Sequence, residues 1–339
     1  MSTLRRRPGQ QSRRMVAAGS AALLVLGLAA CGSDQEEVTV GLITKQENNP
    51  YWVTMRKVAE DVAGDENVKL LTETGESDVD VESQVDALEK MTKDGADGIL
   101  IAPTDPDALV PAIEAARDEG IIVIAVDTPV DPESAVDAFY GTDNGRAGEL
   151  VGQYARAKAD EMGIDPIIGM LDLAPGISSG ELRHEGFLSG FGISEDDPQV
   201  AGAVDIEGDE DQAKAGMEEL LAANDDINVV YTVNEPAAFG ALAALEDAEK
   251  NLDDVIVVSV DGGCEAIKDG VRTGAIDATA QQFPENMARE GIEAIAEAVR
   301  GGPSPGGYLD TGVELITGDP VPGVESEDVE FGVRNCWGG

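Results

Sequence analysis

The segment at residues 38–62 reads VTVGLITKQENNPYWVTMRKVAEDV and sets the pattern for the rest of the chain. Its first seven residues, Val38–Thr44, form an almost continuous apolar run, which is typical of a parallel strand covered on both faces. Apolar residues then recur at helical spacing over Trp52–Val62. A buried strand followed by an amphipathic helix predicts the first half of a right-handed strand–helix–strand crossover.

The same alternation of strand and helix continues along two successive blocks of the chain, the second starting after Asp137–Thr142. The first block has strand-like runs at 68–72, 98–102 and 121–126, and the second has them at 167–173, 200–206, 229–233, 255–260 and 278–282. Helical spacing fills most of the intervals between them. The sequence therefore predicts an α/β fold with two doubly wound, Rossmann-like lobes.

The two blocks have similar size, and no flexible or low-complexity linker separates them. We therefore expect a hinge of three strands, with the chain crossing near Thr142, Gln282 and Asp310. The predicted domain boundaries place residues 38–142 plus 283–311 in the N-terminal lobe. Residues 143–282 plus 312–339 form the predicted C-terminal lobe.

The N-terminus has the pattern of an export signal. Five arginines precede an apolar run from Met15 to Ala30, which is shorter than the roughly 20 residues of a transmembrane helix. Leu28–Gly32 resembles a bacterial lipobox, so residues 1–30 are predicted to be a lipoprotein signal peptide and Cys31 to be lipidated. Residues 31–37 would then tether the body to the outer face of the cytoplasmic membrane. Both Sec and twin-arginine export fit this leader.

Composition narrows the possible partners. The chain has 23 basic and 67 acidic residues, for a net charge of −44, which argues against nucleic-acid binding. The single histidine, His184, argues against histidine-rich metal sites, and we expect neither a metal nor a cofactor. So large an acidic excess predicts a niche of high ionic strength, where salt screens the repulsion between surface charges.

Polar and aromatic side chains follow the ends of several predicted strands, where open α/β sheets bind ligands. Amides, carboxylates and guanidinium groups hydrogen-bond vicinal hydroxyls, and flat rings cover the apolar face of a sugar. The pattern therefore favours a carbohydrate site, although single Asx residues at such positions also cap helices. The residues concerned are Asn49, Tyr51, Trp52, Asp127, Asn144, Arg183, Asn234, Asp261 and Gln282.

Several of these motifs, in this order, resemble those of type I periplasmic sugar-binding proteins, which are receptors of ABC importers. The matching stretches are 48–52, 126–127, 142–144, 183–187, 234–238, 260–262 and 281–284. The resemblance is closest to the ribose and fructose types, and it implies that the nine residues named above hold a monosaccharide. Ribose-type receptors have an arginine where this chain has Thr128, and Lys45 is a candidate to supply that charge. A stacking aromatic of the ribose type near Gly208 is also missing.

The resemblance implies a receptor that delivers a fructose- or ribose-like monosaccharide to an ABC permease and its ATPase. We expect a monomer that is not an enzyme. A receptor that signals to a membrane sensor kinase is the alternative. The pattern G-x-S-x-G at 176–180 does not indicate a hydrolase, because His184 lies in the same helix and cannot act as its base. In an exported protein, Cys264 and Cys336 favour a disulfide over two free thiols.

Overall fold

The computed structural model describes residues 37–339; the predicted signal peptide, Cys31 and nearly all of the tether lie outside the described residues. Its strands are β1 (Val38–Thr44), β2 (Val68–Thr74), β3 (Gly98–Ile101), β4 (Ile122–Val126), β5 (Ala138–Gly141), β6 (Ile168–Asp172), β7 (Val200–Asp205), β8 (Val229–Thr232), β9 (Ile256–Asp261), β10 (Ala278–Gln282), β11 (Gly307–Asp310), β12 (Val313–Thr317) and β13 (Glu327–Asp328). Its α-helices are α1 (Pro50–Asp65), α2 (Val81–Lys93), α3 (Val110–Asp118), α4 (Asn144–Met162), α5 (Ser178–Phe191), α6 (Glu210–Ala223), α7 (Glu235–Asp247), α8 (Pro284–Val299) and α9 (Val329–Asn335).

The first sheet contains six parallel strands in the order β11-β5-β4-β3-β1-β2. Strands β1 and β3 are buried along their whole length. Helices α1 and α8 pack on one face of this sheet, and α2 and α3 pack on the other. This cover on both faces explains the continuous apolar runs in the sequence. The sheet with its helices is the first lobe.

The second sheet contains seven strands in the order β13-β12-β10-β9-β8-β6-β7. All neighbours are parallel except β10 and β12, which are antiparallel. One apolar cluster joins this sheet to helices α4 to α7 and forms the second lobe. The prediction of an α/β fold with two parallel-sheet lobes is confirmed. The sequence did not predict β12, β13 or α9, because β12 and α9 are short and interrupted by acidic residues and β13 has no apolar residue.

Neither sheet is built from one contiguous segment of the chain. The chain leaves the first sheet after β5, returns from β10 to α8, and leaves again between β11 and β12. These three passages lie next to one another: the Thr311 amide donates to the carbonyl of Gly141 at 3.0 Å, and Asn286 Nδ2 at the start of α8 donates to the carbonyl of Thr311 at 3.2 Å. The residue-level domain boundaries given above stay a prediction.

Glycines allow α4 and α5 to pack unusually closely in the second lobe. A Cβ at Gly148 would lie 2.0 Å from the carbonyl oxygen of Arg183, and one at Gly186 would lie 2.2 Å from that of Gly145. A Cβ at Gly152 would lie 2.3 Å from the carbonyl oxygen of Phe187, and one at Gly190 would lie 2.2 Å from that of Glu149. This packing fixes the position of Arg183 relative to the start of α4.

Candidate functional site

Asp127, directly after β4, lies at the centre of the polar groups on the first lobe. Its Oδ1 accepts a hydrogen bond from the Tyr51 hydroxyl at 3.0 Å. Its Oδ2 accepts one from Thr128 Oγ1 at 2.8 Å and lies 3.6 Å from Lys45 Nζ. Lys45 also donates to Thr128 Oγ1 at 2.8 Å. Lys45 therefore supplies a buried cation beside Asp127, as the sequence suggested.

Asp261, at the end of β9, has the corresponding position in the second lobe. Its Oδ1 lies 3.3 Å from Arg183 Nη1 and accepts a hydrogen bond from Gln282 Nε2 at 2.6 Å. Arg183 also donates to Asn144 Oδ1 at 2.8 Å and to the carbonyl of Val233 at 2.9 Å. Four predicted site residues thus form one buried hydrogen-bonded cluster.

Asp127 and Asp261 each have a strained backbone conformation. Asp127 has a φ of 65° and Asp261 a φ of 97°, values that side chains other than glycine rarely adopt. Such strain concentrates at functional sites, where the surrounding structure holds it in place. In both lobes the positive φ angle turns the aspartate carboxylate away from the end of a central strand and into the space between the sheets.

A small cavity of about 40 Å³ lies between the lobes and is lined by residues of both. Seven of the nine predicted ligand-binding residues line it. The other two, Asn144 and Gln282, lie behind it and bind Arg183 and Asp261. The lining residues are Lys45, Asn49, Tyr51, Trp52, Asp78, Asp127, Leu173, Ser179, Arg183, Asn234 and Asp261.

Burial controls the ionisation of these groups. It raises the pKa of Asp261, and the Arg183 guanidinium partly offsets the effect. Burial also raises the pKa of Tyr51 well above its usual value, with the Asp127 carboxylate acting in the same direction. Tyr51 therefore stays protonated and donates its hydroxyl proton to Asp127. Both aspartates have a buried cation nearby, which lowers the cost of keeping their charge inside the protein.

Glu235 and Trp337 support the site from behind, and the sequence did not predict either role. The Glu235 carboxylate accepts hydrogen bonds from the amides of Gly263 at 2.7 Å and Ala266 at 3.0 Å, which fixes the loop after Asp261. Burial, reinforced by Asp261, raises the pKa of Glu235 to about 7. The Trp337 ring lies edge-on to that of Tyr51, with centroids 5.1 Å apart.

The predicted disulfide is present, between Cys264 and Cys336. The Cys264 amide also donates to the carbonyl of Trp337 at 2.8 Å. Beyond it, the Gly338 amide donates to Thr54 Oγ1 on α1 at 3.0 Å. The C-terminal tail, residues 336–339, is therefore bonded to the second lobe by the disulfide and contacts the first lobe.

The G-x-S-x-G pattern does not form a hydrolytic site. Both ring nitrogens of His184 are bound by carboxylates, Nδ1 by Asp172 at 3.0 Å and Nε2 by Glu195 at 2.5 Å. Both of these contacts raise the pKa of His184, to about 9. The imidazole is therefore protonated at neutral pH and cannot act as a general base for a serine.

Within 37–339, no cluster of three or more histidine, cysteine, aspartate or glutamate side chains has the arrangement of a metal site. None of the helices over the same range combines the length and the apolar character that crossing a membrane requires.

Two parallel-sheet lobes with a polar cavity between them define a receptor for a small polar solute. The chain belongs to the periplasmic binding protein family: the periplasmic binding protein domain matches residues 40–303. It is a binding protein rather than an enzyme.

Named relatives and solved structures agree with this assignment. The chain is 28% identical over 268 residues to the ribose import binding protein of Bacillus subtilis, covering 79% of this chain and 84% of that protein. A carbohydrate transporter solute-binding protein from Agrobacterium radiobacter, in complex with D-arabinose, superimposes with a TM-score of 0.75 at 27% identity and covers 84% of this chain and 95% of its own. A solute-binding protein from Actinobacillus succinogenes with bound D-allose gives a TM-score of 0.73 at 26% identity, covering 83% and 98%.

Proposed function

We propose that this protein is an extracytoplasmic receptor that binds a monosaccharide between its two lobes and delivers it to an ABC permease. The observation that carries the proposal is the cavity between the lobes, where Asp127 and Tyr51 of the first lobe face Arg183, Asn234 and Asp261 of the second. The similarity to proteins named for ribose, D-arabinose and D-allose supports the same solute class. Within that class, a fructose- or ribose-like sugar is the proposed ligand.

The charges of the site favour a neutral polyol. Lys45 lies beside Asp127, and Arg183 pairs with Asp261, so neither cation needs an anionic solute as a partner. Carboxylates accept hydrogen bonds from hydroxyls, while Arg183 and the amide of Asn234 donate them. Tyr51 and Trp52 supply flat apolar surface for the C–H face of a sugar ring.

The proposed mechanism is closure about the hinge. A sugar that contacts both lobes binds the closed form more tightly than the open one and so shifts the population towards closure. The closed form would then dock on the permease. A lipid on Cys31 would hold the monomeric receptor at the outer face of the cytoplasmic membrane.

Isothermal titration calorimetry with D-ribose, D-allose, D-fructose and D-arabinose tests the proposal. Arg183→Ala is a poor probe, because it would leave the buried Asp261 unpaired and destabilise the fold. Asp127→Asn is better, since asparagine tolerates positive φ and still accepts the Tyr51 hydrogen bond. We expect wild type to bind at least one of these sugars and Asp127→Asn to bind it at least tenfold more weakly. Asp196→Asn, at an exposed position, is the control. Failure of the folded wild type to bind any of the four would refute the proposal.

A further inference from the structure

Asp78 lines the cavity between the lobes, although it is not among the nine predicted ligand-binding residues. It lies in the loop between β2 and α2, and its carboxylate shares the cavity with Asp127, Asp261 and Arg183. No motif of the predicted carbohydrate site includes this loop. Asp78 is therefore a third carboxylate in the site, and its role follows from the contacts around it.

Two polar atoms at this end of the cavity have no hydrogen-bond partner among the described residues. Asp78 Oδ1 is an acceptor and Trp52 Nε1 is a donor, and both are shielded from solvent. Burial raises the pKa of Asp78, and the nearby Trp52 indole lowers it, but the two atoms do not meet in hydrogen-bond geometry. A buried polar atom without a partner costs roughly 1–3 kcal/mol. A ligand hydroxyl can relieve both at once, because it accepts one hydrogen bond and donates another.

The loop that carries Asp78 is held in place on both sides. The Gly75 amide donates to the carbonyl of Thr44 at 2.9 Å, and the Asp80 side chain accepts from the Ser83 amide at 3.3 Å at the start of α2. A Cβ at Gly75 would lie 2.5 Å from the Lys45 carbonyl oxygen, so the loop packs directly against the end of β1. The carboxylate is thus positioned by the backbone before any ligand arrives.

The second lobe approaches Asp78 from the opposite side. A Cβ on Gly208 would lie 3.2 Å from Asp78 Oδ2 and 3.0 Å from Asn234 Nδ2. Because glycine has no side chain, this position leaves room for the carboxylate where the lobes meet. A solute held here would touch both lobes.

We propose that Asp78, together with the indole N–H of Trp52, recognises one hydroxyl group of the sugar and thereby sets the specificity of the receptor. This inference rests on the proposed function and adds a residue to it. It requires that the bound solute carry a hydroxyl group that reaches both Asp78 and the Trp52 indole.

Calorimetry with D-ribose, D-allose, D-fructose and D-arabinose and with their monodeoxy derivatives tests this role. Wild type should bind one deoxy derivative about tenfold more weakly than its parent sugar. Asp78→Ala should bind the parent about tenfold more weakly than wild type does and should no longer distinguish the two sugars. Asp78→Asn keeps the shape of the side chain and one acceptor oxygen but loses the charge, so its affinity for the parent sugar should lie between those of wild type and Asp78→Ala. Asp80→Asn is the matched control, since asparagine is an equally good helix N-cap.

The outcomes separate this inference from the proposed function. If wild type binds a panel sugar and Asp78→Ala binds it with equal affinity, Asp78 does not contact the ligand, while the proposed function stands. If Asp78→Ala weakens the parent and every deoxy derivative by the same factor, Asp78 only shapes the loop, and the inference is again wrong. If folded wild type binds none of the sugars, the proposed function fails and the inference fails with it.

Discussion

The C-terminal tail offers a sharp test of how the site is supported, through Trp337→Ala. Trp337 is 4% exposed, packs edge-on against Tyr51 and donates from Nε1 to the Gln282 carbonyl at 3.2 Å. Removing a buried tryptophan side chain costs about 3–5 kcal/mol. Domains of this kind are stable by roughly 5–15 kcal/mol, so the variant should still fold at 25 °C.

In Trp337→Ala, the disulfide should keep the C-terminal tail in place. In the chain-entropy model, a disulfide that closes a loop of 72 residues stabilises the folded state by about 4 kcal/mol, because it restricts the unfolded chain. The main loss in Trp337→Ala is therefore the ring that supports Tyr51. Without it, the Tyr51 hydroxyl should no longer be held at Asp127, and sugar affinity should fall at least tenfold.

Trp337→Phe is the matched control. It keeps a ring against Tyr51 but removes the hydrogen bond to Gln282, which should cost about 1 kcal/mol and change sugar affinity less than threefold. Urea unfolding gives the stability of each variant, and calorimetry with the tightest-binding of the four sugars gives the affinity. If Trp337→Ala lost stability but bound that sugar as tightly as wild type, the tail would not position Tyr51.

Three further predictions follow from other parts of the structure. Gly148→Ala should destabilise the fold by about 1–3 kcal/mol through overpacking and weaken sugar binding by displacing Arg183. Gly64→Ala, with nothing within 4 Å of the added Cβ, should instead stabilise the fold by roughly 0.5–1 kcal/mol. If urea unfolding gave the two variants the same free energy of unfolding, this prediction would be wrong. His184→Gln should cost about 1–2 kcal/mol at pH 6, a value reduced for partial exposure. Because the pKa of His184 is raised to about 9 in the folded state, this difference should be complete below pH 6.5 and disappear as the pH rises through 9; a pH-independent difference would show that no charged pair is involved. The unfolding temperature should rise from 0.05 to 2 M NaCl, with KCl as the control, since 1 M salt shortens the screening length to ~3 Å; a flat or falling curve would refute a high-salt niche.

Local patterns predicted most of the fold, because each parallel strand carries its own apolar signal. Strands β1 and β10 begin and end at the residues that the sequence predicted. The C-terminal elements escaped prediction since Val313–Thr317 is interrupted by an acid and Glu327–Asp328 has no apolar residue at all. Such short elements form because a neighbouring strand provides the hydrogen bonds, which no local pattern reveals.

The same reasoning separates the candidate site residues that a sequence pattern predicts from those that it does not. Asp127 and Asp261 follow apolar strands, so the position of each is fixed by its own neighbours. The proposed role of Asp78 depends on a loop of the other lobe at Gly208, and the proposed role of Trp337 depends on a disulfide that carries the tail to Tyr51. These roles depend on contacts between segments that are far apart in the chain.

The distribution of charge connects the surface to the site. The leader holds five of the 23 basic residues, which leaves 18 to balance 67 acids. Two of the 18, Lys45 and Arg183, are buried beside Asp127 and Asp261 with 4% and 5% of their side chains exposed. Salt screens buried charges far less than exposed ones, so added salt should relieve the repulsion at the surface and leave both buried contacts intact. A neutral sugar should therefore bind with nearly constant affinity over the same range of salt in which the fold gains stability.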